Sequence, residues 1–217
     1  MKKLNVKKLV LLSLISALAY TVVLVFPRIE VGGFLRYEPK DVIIVIGGFL
    51  LGPWAAVISA TLVALLEMVT ISDTGPIGCL MNALSTCSFA LVASLIYKKK
   101  HDLTGAVLSL VAGSLVMAAV MVLWNWLITP LYMEVPRAVV ETMLLPLFLP
   151  FNLVKAGLNS ALTLALYKPL TAALRSARLL PPRESGNQKG TKLWVYILAA
   201  ALLAVSILQL LELQENL

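Results

Sequence analysis

The feature that most restricts the fold of this chain is a succession of long apolar runs, each bounded by charges, glycine or proline. A helix that crosses a bilayer needs about 20 predominantly apolar residues. The residues AVILMFWYC make up 60% of the 217, and the mean hydropathy is +0.93, which excludes a soluble domain. The sequence therefore predicts an all-α integral membrane protein. The predicted helices are 9–26, 41–51, 54–71, 77–97, 103–128, 150–167 and 193–211.

Basic residues lie in clusters that flank these runs. Four precede the first helix, three lie at 98–100 and six lie between 168 and 192, which together are thirteen of the eighteen Lys and Arg residues. Cytoplasmic segments carry such an excess of cations, so the pattern predicts a cytoplasmic N-terminus and an extracellular C-terminus. The net charge of +7 therefore reflects orientation in the membrane and does not indicate a nucleic-acid partner. The first run is long for a signal peptide and lacks a cleavage site before Pro27, so it is predicted to remain as a helix.

The chain divides into a six-helix domain at 1–175, a cytoplasmic linker at 176–192 and a seventh helix with a short outer tail at 193–217. Two long connections are predicted at the outer end. Residues 28–40 are too polar and glycine-rich to lie in lipid. Residues 129–149 carry three prolines, which are incompatible with a regular span. They are predicted to form a long outer loop with one short helix around 137–145.

A polar stripe interrupts the sixth predicted helix. Asn152, Lys155 and Asn159 follow at i, i+3 and i+7 and therefore project from one face. An ammonium group in hydrocarbon costs at least about 2.5 kcal/mol, so this face is expected to contact protein, water or a ligand.

Buried polar residues of other helices lie at the same depth as this stripe. Helices rise about 1.5 Å per residue, which puts Glu67, Asn82, Asn125 and Asn152 with Lys155 in the outer leaflet. A shared depth indicates a ligand pocket that opens outward, covered by the two long connections. Aromatic residues near that end are Tyr37, Trp124, Trp126 and Tyr132.

Structural explanations stay open for each of these residues. Lys155 can extend along its helix toward the interface, and buried asparagines can link neighbouring helices for about 0.6 to 2 kcal/mol each. Glu67 can neutralise Lys155 as an ion pair. Asp41, at the start of the second helix, is expected to be a helix-start charge rather than a ligand contact.

Sequence motifs of enzymes are absent. The chain has no His-Glu-x-x-His, Gly-x-Ser-x-Gly, paired metal-binding aspartates or Walker A loop, so neither an enzyme nor an ATPase is predicted. A transporter built from it would take its energy from another subunit or from a gradient. Cys79 and Cys87 are too far apart along one helix to pair, and His101 is expected to be a solvated loop residue, so no metal is predicted.

Three passages carry more specific motifs. They are Tyr37-Glu38-Pro39-Lys40-Asp41-Val42 leading into Gly47-Gly48-Phe49-Leu50-Leu51-Gly52-Pro53, then Gly75-Pro76-Ile77-Gly78 with Asn82, and finally Leu149-Pro150-Phe151-Asn152-Leu153-Val154-Lys155. Over residues 7–170 the chain resembles the substrate-binding S component of energy-coupling-factor vitamin transporters, and within that family the riboflavin-specific branch.

The resemblance implies a ligand and its contacts. In riboflavin binders of the family, the similar Pro-Phe-Asn-x-x-Lys segment places its Asn and Lys against the flavin, which implies those roles for Asn152 and Lys155. The resemblance also implies a flavin contact for Asn125, although the residues around it match the family less closely. Asn159 is expected only to pack against neighbouring helices. Riboflavin is expected as the transported ligand, not as a cofactor. The predicted substrate-binding residues are Asn152, Lys155, Asn125, Asn82, Glu67 and Tyr37.

The resemblance also implies partners in a prokaryotic cell membrane: a transmembrane coupling subunit and two cytoplasmic ATPase subunits. Family members dock through small residues at x-x-x spacing on the first helix. Ser13 and Ala17 have this spacing, although the family favours alanine at both positions. The six-helix family core has no counterpart of the linker and the seventh helix.

Two other functions remain open. The scaffold does not set the ligand, so the chain is alternatively an S component for another vitamin or small molecule. In a structural or channel membrane protein, Asn152 and Lys155 would instead pack helices or line a pore.

Overall fold

Long helices dominate the structure of the protein, a computed structural model that describes residues 6–26, 29–31, 35–179 and 193–215. The helices are α1 Val6–Val25, α2 Lys40–Leu51, α3 Pro53–Thr70, α4 Gly75–Lys99, α5 Leu103–Met133, α6 Arg137–Met143, α7 Leu149–Ser176 and α8 Leu193–Glu215. A π-helical segment, Leu144–Phe148, connects α6 to α7. The predicted sixth and seventh helices therefore correspond to α7 and α8.

Six helical stretches within the described ranges are long and apolar enough to cross a membrane. They are α1, α3, α4, α5, the continuous stretch from α6 through α7, and α8. The helix α2 has only 12 residues and is buried from Lys40 to Phe49, so it lies inside the bundle. The prediction of an all-α, multi-pass membrane bundle with an additional C-terminal helix is confirmed.

The prediction of a long outer loop at 129–149 is wrong, although the short helix within it is present. The helix α5 continues through Pro130 to Met133 and ends at Glu134, whose φ of 54° is left-handed. Pro146 lies within the π-helical segment. A proline is tolerated near a helix end or in the wider π turn, where its missing N–H and its ring disturb few hydrogen bonds. The three prolines are therefore compatible with a mostly helical segment, interrupted at Glu134 to Pro136.

A β-hairpin, absent from the sequence-based prediction, occupies the connection between α1 and α2. Its antiparallel strands are β1 Ile29–Val31 and β2 Leu35–Tyr37. Side chains alternate along it: Val31, Leu35 and Tyr37 are buried, whereas Glu30 and Arg36 lie on the opposite face and form a 2.7 Å ion pair. The buried face packs against Val140, Phe148 and Phe151, together with other apolar residues of α7 and α8. The hairpin is therefore part of the packed bundle.

Small residues bring α2 close to its neighbours in the core. A Cβ atom at Gly48 would lie 2.8 Å from the Cβ of Ala56, and would also meet Ser94. The core around this point includes Ala60, Ala90 and Ala93, which are almost fully buried. The Gly47-Gly48 pair thus permits the close packing that a short, enclosed helix requires.

The additional helix α8 packs along α7. Its buried residues, Ala199, Ser206 and Leu210, form a stripe at helical spacing. Opposite Ser206 lies Gly157, where a Cβ atom would be 2.5 Å from the Ser206 Oγ. Beyond this contact the Gln214 Nε2 donates a 3.1 Å hydrogen bond to the carbonyl of Glu30 in β1. Most of the predicted linker, 180–192, lies outside the described residues.

The contact between α7 and α8 predicts the effect of a larger side chain. Gly157→Leu should lower the midpoint of thermal unfolding in detergent, because overpacking a tight contact costs about 1 to 3 kcal/mol. Gly157→Leu combined with Ser206→Gly should recover part of the loss. Ala119→Leu, on an exposed face of α5, is the control. Equal midpoints for Gly157→Leu and the control would contradict this packing.

Candidate functional site

A cleft lies where the hairpin meets the ends of the surrounding helices. Its empty volume, including the part open to the surroundings, is about 870 Å³. The lining residues come from the hairpin, α1, α3, α4, α5 and α7. They are Val23, Phe26, Leu35, Arg36, Tyr37, Glu38, Pro39, Glu67, Ile71, Ser72, Thr74, Met81, Asn82, Ser85, Met121, Phe151, Asn152 and Lys155.

Five of the six predicted substrate-binding residues line this cleft. They are Tyr37, Glu67, Asn82, Asn152 and Lys155. Helix geometry explains why they meet: α3 and α5 end at the level where α4 and α7 begin, so residues distant in sequence share one depth.

Asn125, the sixth predicted residue, is not brought to the cleft. It is 1% exposed, and its hydrogen bonds lie within its own helix. The Nδ2 donates to the Met121 carbonyl at 2.7 Å, and the Oδ1 accepts from the Thr129 hydroxyl at 2.8 Å. Its neighbour Met121, one turn away, lines the cleft instead.

A buried ion cluster anchors the base of the hairpin. The Lys40 Nζ lies 2.6 Å from the Glu38 Oε2 and 2.5 Å from the Glu67 Oε2. Asn82 completes the cluster, since its Nδ2 donates to Glu67 at 3.3 Å. Burial by itself would raise the pKa of the Glu38 carboxyl, but the charges of Lys40 and Lys155 hold it below its usual range. The alternative that Glu67 pairs with Lys155 is wrong, because Lys40 occupies that position.

A second buried network centres on Asp41. Its Oδ1 accepts a 2.7 Å hydrogen bond from Thr86, and its Oδ2 accepts one of 3.1 Å from the Asn159 Nδ2. The Asn159 Oδ1 in turn accepts from the Tyr37 hydroxyl at 3.1 Å. Burial, together with the Asp41 charge, raises the pKa of Tyr37, so its hydroxyl stays protonated and donates. Asn159 thus links the hairpin to α2 and is not itself a lining residue.

Lys155 differs from the other charged residues of the cleft. It is 4% exposed, and its nearest charged partner among the described residues is the Asp41 Oδ2, 4.0 Å from the Nζ. This separation permits charge attraction but is too long for a hydrogen bond. One turn earlier, the Asn152 Nδ2 donates to the Phe148 carbonyl at 2.7 Å. The Lys155 ammonium therefore retains N–H donors beside the cleft.

Sequence reasoning missed the contribution of Lys40 and underestimated Asp41. Lys40 is predicted to end the polar outer connection 28–40 and Asp41 to be a helix-start charge, yet they are 1% and 0% exposed. The sequence does contain a signal for their burial. Three of the four residues from Glu38 to Asp41 are charged, and they directly precede the apolar helix α2.

The fold and the cleft define a multi-pass membrane protein with a polar site enclosed at one end of a helical bundle. A family model described as "ECF transporter, substrate-specific component" matches residues 7–167. The chain belongs to this family of energy-coupling-factor transporter components, which confirms the resemblance. It is thereby a transporter subunit, and the family implies association with an energy-coupling module. The helix α8 lies beyond the matched residues.

Proteins similar to it include one transporter and one protein of solved structure. The riboflavin transporter FmnP of Bacillus subtilis (strain 168) is 27% identical over 161 residues, which cover 70% of this chain and 85% of the relative. A solved structure described as the S component of a bacterial ECF transporter matches with a TM-score of 0.66 and 29% identity. That match covers 79% of this chain and 99% of the solved chain.

The ion cluster predicts a strong effect on stability. Lys40→Met should lower the unfolding midpoint markedly, since it leaves Glu38 and Glu67 buried without a cation, and breaking a buried pair costs about 3 to 5 kcal/mol. Lys98→Met, at an exposed position of α4, is the matched control. Adding Glu67→Leu to Lys40→Met should restore part of the stability. A Lys40→Met protein as stable as the control would contradict the cluster.

Proposed function

We propose that this chain is the substrate-binding subunit of a vitamin uptake transporter and that it binds riboflavin in the cleft. The observation that carries the proposal is the ammonium of Lys155, which lines the cleft without a hydrogen bond to the described residues. Its N–H donors are free to bond to an acceptor of a ligand, and a hydrogen bond to a charged group contributes about 1.5 to 3 kcal/mol.

The lining favours a flat, largely apolar ligand with polar groups at its edge. Phe26, Leu35, Met81, Met121 and Phe151 supply apolar walls. The isoalloxazine ring of a flavin has such a surface, and its ring carbonyls and nitrogens accept hydrogen bonds. Donors for them are the ammonium of Lys155 and the second N–H of the Asn152 amide. The similarity to the B. subtilis riboflavin transporter supports the same ligand class.

Charge balance in and around the cleft favours a ligand without net charge. Lys40 is neutralised by Glu38 and Glu67, and Lys155 lies within 4.0 Å of Asp41. At the rim, Arg36 bonds to Glu30 and to Asp73. An anionic ligand would have to displace these carboxylates from their partners, whereas a neutral vitamin leaves each pair intact.

The orientation of the bundle supports uptake. The cleft lies at the N-terminal end of α4, and the exposed Lys98 and Lys99 lie at the opposite end, about 35 Å away for a helix of this length. The positive-inside rule then directs the cleft outward, toward an extracellular substrate. The proposed route is capture from outside, followed by release inward when the energy-coupling module acts.

The first helix offers a contact for the coupling subunit. Ser13 and Ala17 are both exposed on α1, one turn apart, so a second helix can approach closely there. We assign this face to the transmembrane coupling subunit, which would be driven by two cytoplasmic ATPases.

Riboflavin binding tests the proposal directly. The purified protein should quench riboflavin fluorescence at sub-micromolar concentration, and Lys155→Ala should weaken binding at least about tenfold, because hydrogen bonds to charged groups contribute about 1.5 to 3 kcal/mol. Leu153→Ala, next to the site but 41% exposed, should bind like the parent. A parent protein that neither quenches riboflavin nor melts higher in its presence would refute the assignment.

A competition panel distinguishes the vitamins. Under the proposal, unlabelled riboflavin displaces the bound flavin and other vitamins do not. Displacement at lower concentration by another vitamin would reassign the ligand. If Asn152→Leu with Lys155→Leu leaves every ligand response unchanged, the residues serve packing or a pore.

The α1 surface makes a separate prediction. Ser13→Leu combined with Ala17→Leu should leave riboflavin binding by the purified subunit unchanged but abolish most uptake in cells that supply the energy-coupling module. The bulkier side chains prevent close helix approach without touching the cleft. Ala119→Leu on α5 should retain uptake. Normal uptake by the double variant would exclude this face as the docking site.

A further inference from the structure

The hydroxyl of Ser85 is an unsatisfied polar group on the wall of the cleft. Ser85 lies on α4, is 2% exposed, and its Oγ has no hydrogen-bond partner among the described residues. Every charged, amide or phenolic side chain that lines the cleft has at least one hydrogen bond or ion pair within the protein. Among the described polar side chains that line the cleft, Ser85 thus lacks the partner that the others have.

Serines elsewhere in the helices illustrate the usual solution. The Ser16 hydroxyl donates to the Leu12 carbonyl at 2.9 Å, and the Ser114 hydroxyl donates to the Leu110 carbonyl at 2.8 Å. Such bonds to the preceding turn are the common way to satisfy a serine within a helix. Ser85 does not use it, although burial of a hydroxyl without a partner costs about 1 to 3 kcal/mol. The buried Ser85 hydroxyl therefore keeps an unused hydrogen-bonding capacity in a residue that lines the cleft.

A second serine of the same helix provides an internal comparison. Ser94 is 1% exposed and its hydroxyl also lacks a partner among the described residues. It lies nine residues further along α4, about 13 Å from Ser85, and contacts the helix α2 at Gly48 rather than the cleft. Ser94 thus shares the burial and the unpartnered hydroxyl of Ser85 but does not line the cleft.

We infer that Ser85 is a ligand-contacting residue whose hydroxyl forms a hydrogen bond with a polar group of the bound flavin. This inference rests on the proposed function and adds a contact from α4 to those of α7. Lys155 and Asn152 hold one part of the ligand from α7, so a hydroxyl on α4 fixes its orientation from a second wall. A serine hydroxyl can donate or accept, so it pairs equally with a ring carbonyl or with a hydroxyl of the ribityl chain.

The test compares Ser85→Ala with Ser94→Ala in the full-length purified protein, with riboflavin as the probe. Ser85→Ala should raise the dissociation constant about five- to tenfold, which corresponds to one lost hydrogen bond, whereas Ser94→Ala should leave it within about twofold of the parent. Without ligand, both variants should unfold at or above the parent temperature, since each removes an unsatisfied hydroxyl. Riboflavin should then raise the unfolding temperature of Ser85→Ala less than that of Ser94→Ala.

Different results overturn different claims. If the parent binds riboflavin and Lys155→Ala weakens binding, but Ser85→Ala binds like Ser94→Ala, the assignment of Ser85 fails and the proposed function stands. If Ser85→Ala is destabilised without ligand, the hydroxyl serves the fold and the assignment also fails. If the parent does not bind riboflavin, the proposed function fails and the assignment fails with it.

Discussion

The buried ammonium of Lys40 is the interaction on which the geometry of the cleft depends. Lys40 is the first residue of α2 and follows the hairpin. Its ammonium binds two carboxylates, that of Glu38 next to the hairpin and that of Glu67 in α3. In a bilayer, each of these charges alone would be expelled or neutralised. Held together they fix the position of β2, and with it Tyr37, relative to the helices. The cleft is the space that remains between these anchored elements.

The polar groups of the site divide into two sets with different functions. In the first set, Lys40 pairs with Glu67 and Asp41 pairs with Asn159, and these bonds fix the shape of the cleft. Lys155 retains unbonded donors beside the cleft, and the Ser85 hydroxyl has no partner among the described residues. A fully satisfied buried network is rigid, and an unsatisfied group within it carries a cost that a ligand can remove. The bonded residues hold the cleft in a fixed shape before a ligand binds. Few side chains then lose freedom on binding, which would favour ligand contacts with Lys155 and Ser85.

Much of the fold follows from the sequence, because membrane spans are specified by local apolar length alone. The shared depth of Glu67, Asn82 and Lys155 also follows from counting residues along helices. The pairing of charged residues does not follow from such counting. Whether Glu67 pairs with Lys155 or with Lys40 depends on how α2 lies between its neighbours. Asn125 illustrates the same limit, since its hydrogen bonds within α5 remove it from a site that its depth predicts. The helix α5 continues past Pro130 because a proline is tolerated so close to a helix end, and the composition of the segment does not reveal where the helix ends.

The additional helix α8 affects the hairpin and α7 to different degrees. Its bond from Gln214 to the Glu30 carbonyl is exposed, and such a hydrogen bond contributes about 0.5 to 1.5 kcal/mol. The cluster at Lys40, where β2 leads into α2, would cost about 3 to 5 kcal/mol to break. The hydrogen bond from α8 is therefore the weaker of these two polar attachments of the hairpin, and apolar residues of α8 add to it by packing on the buried face of the hairpin. The larger effect of α8 is its packing on α7, which holds the helix that carries Asn152 and Lys155.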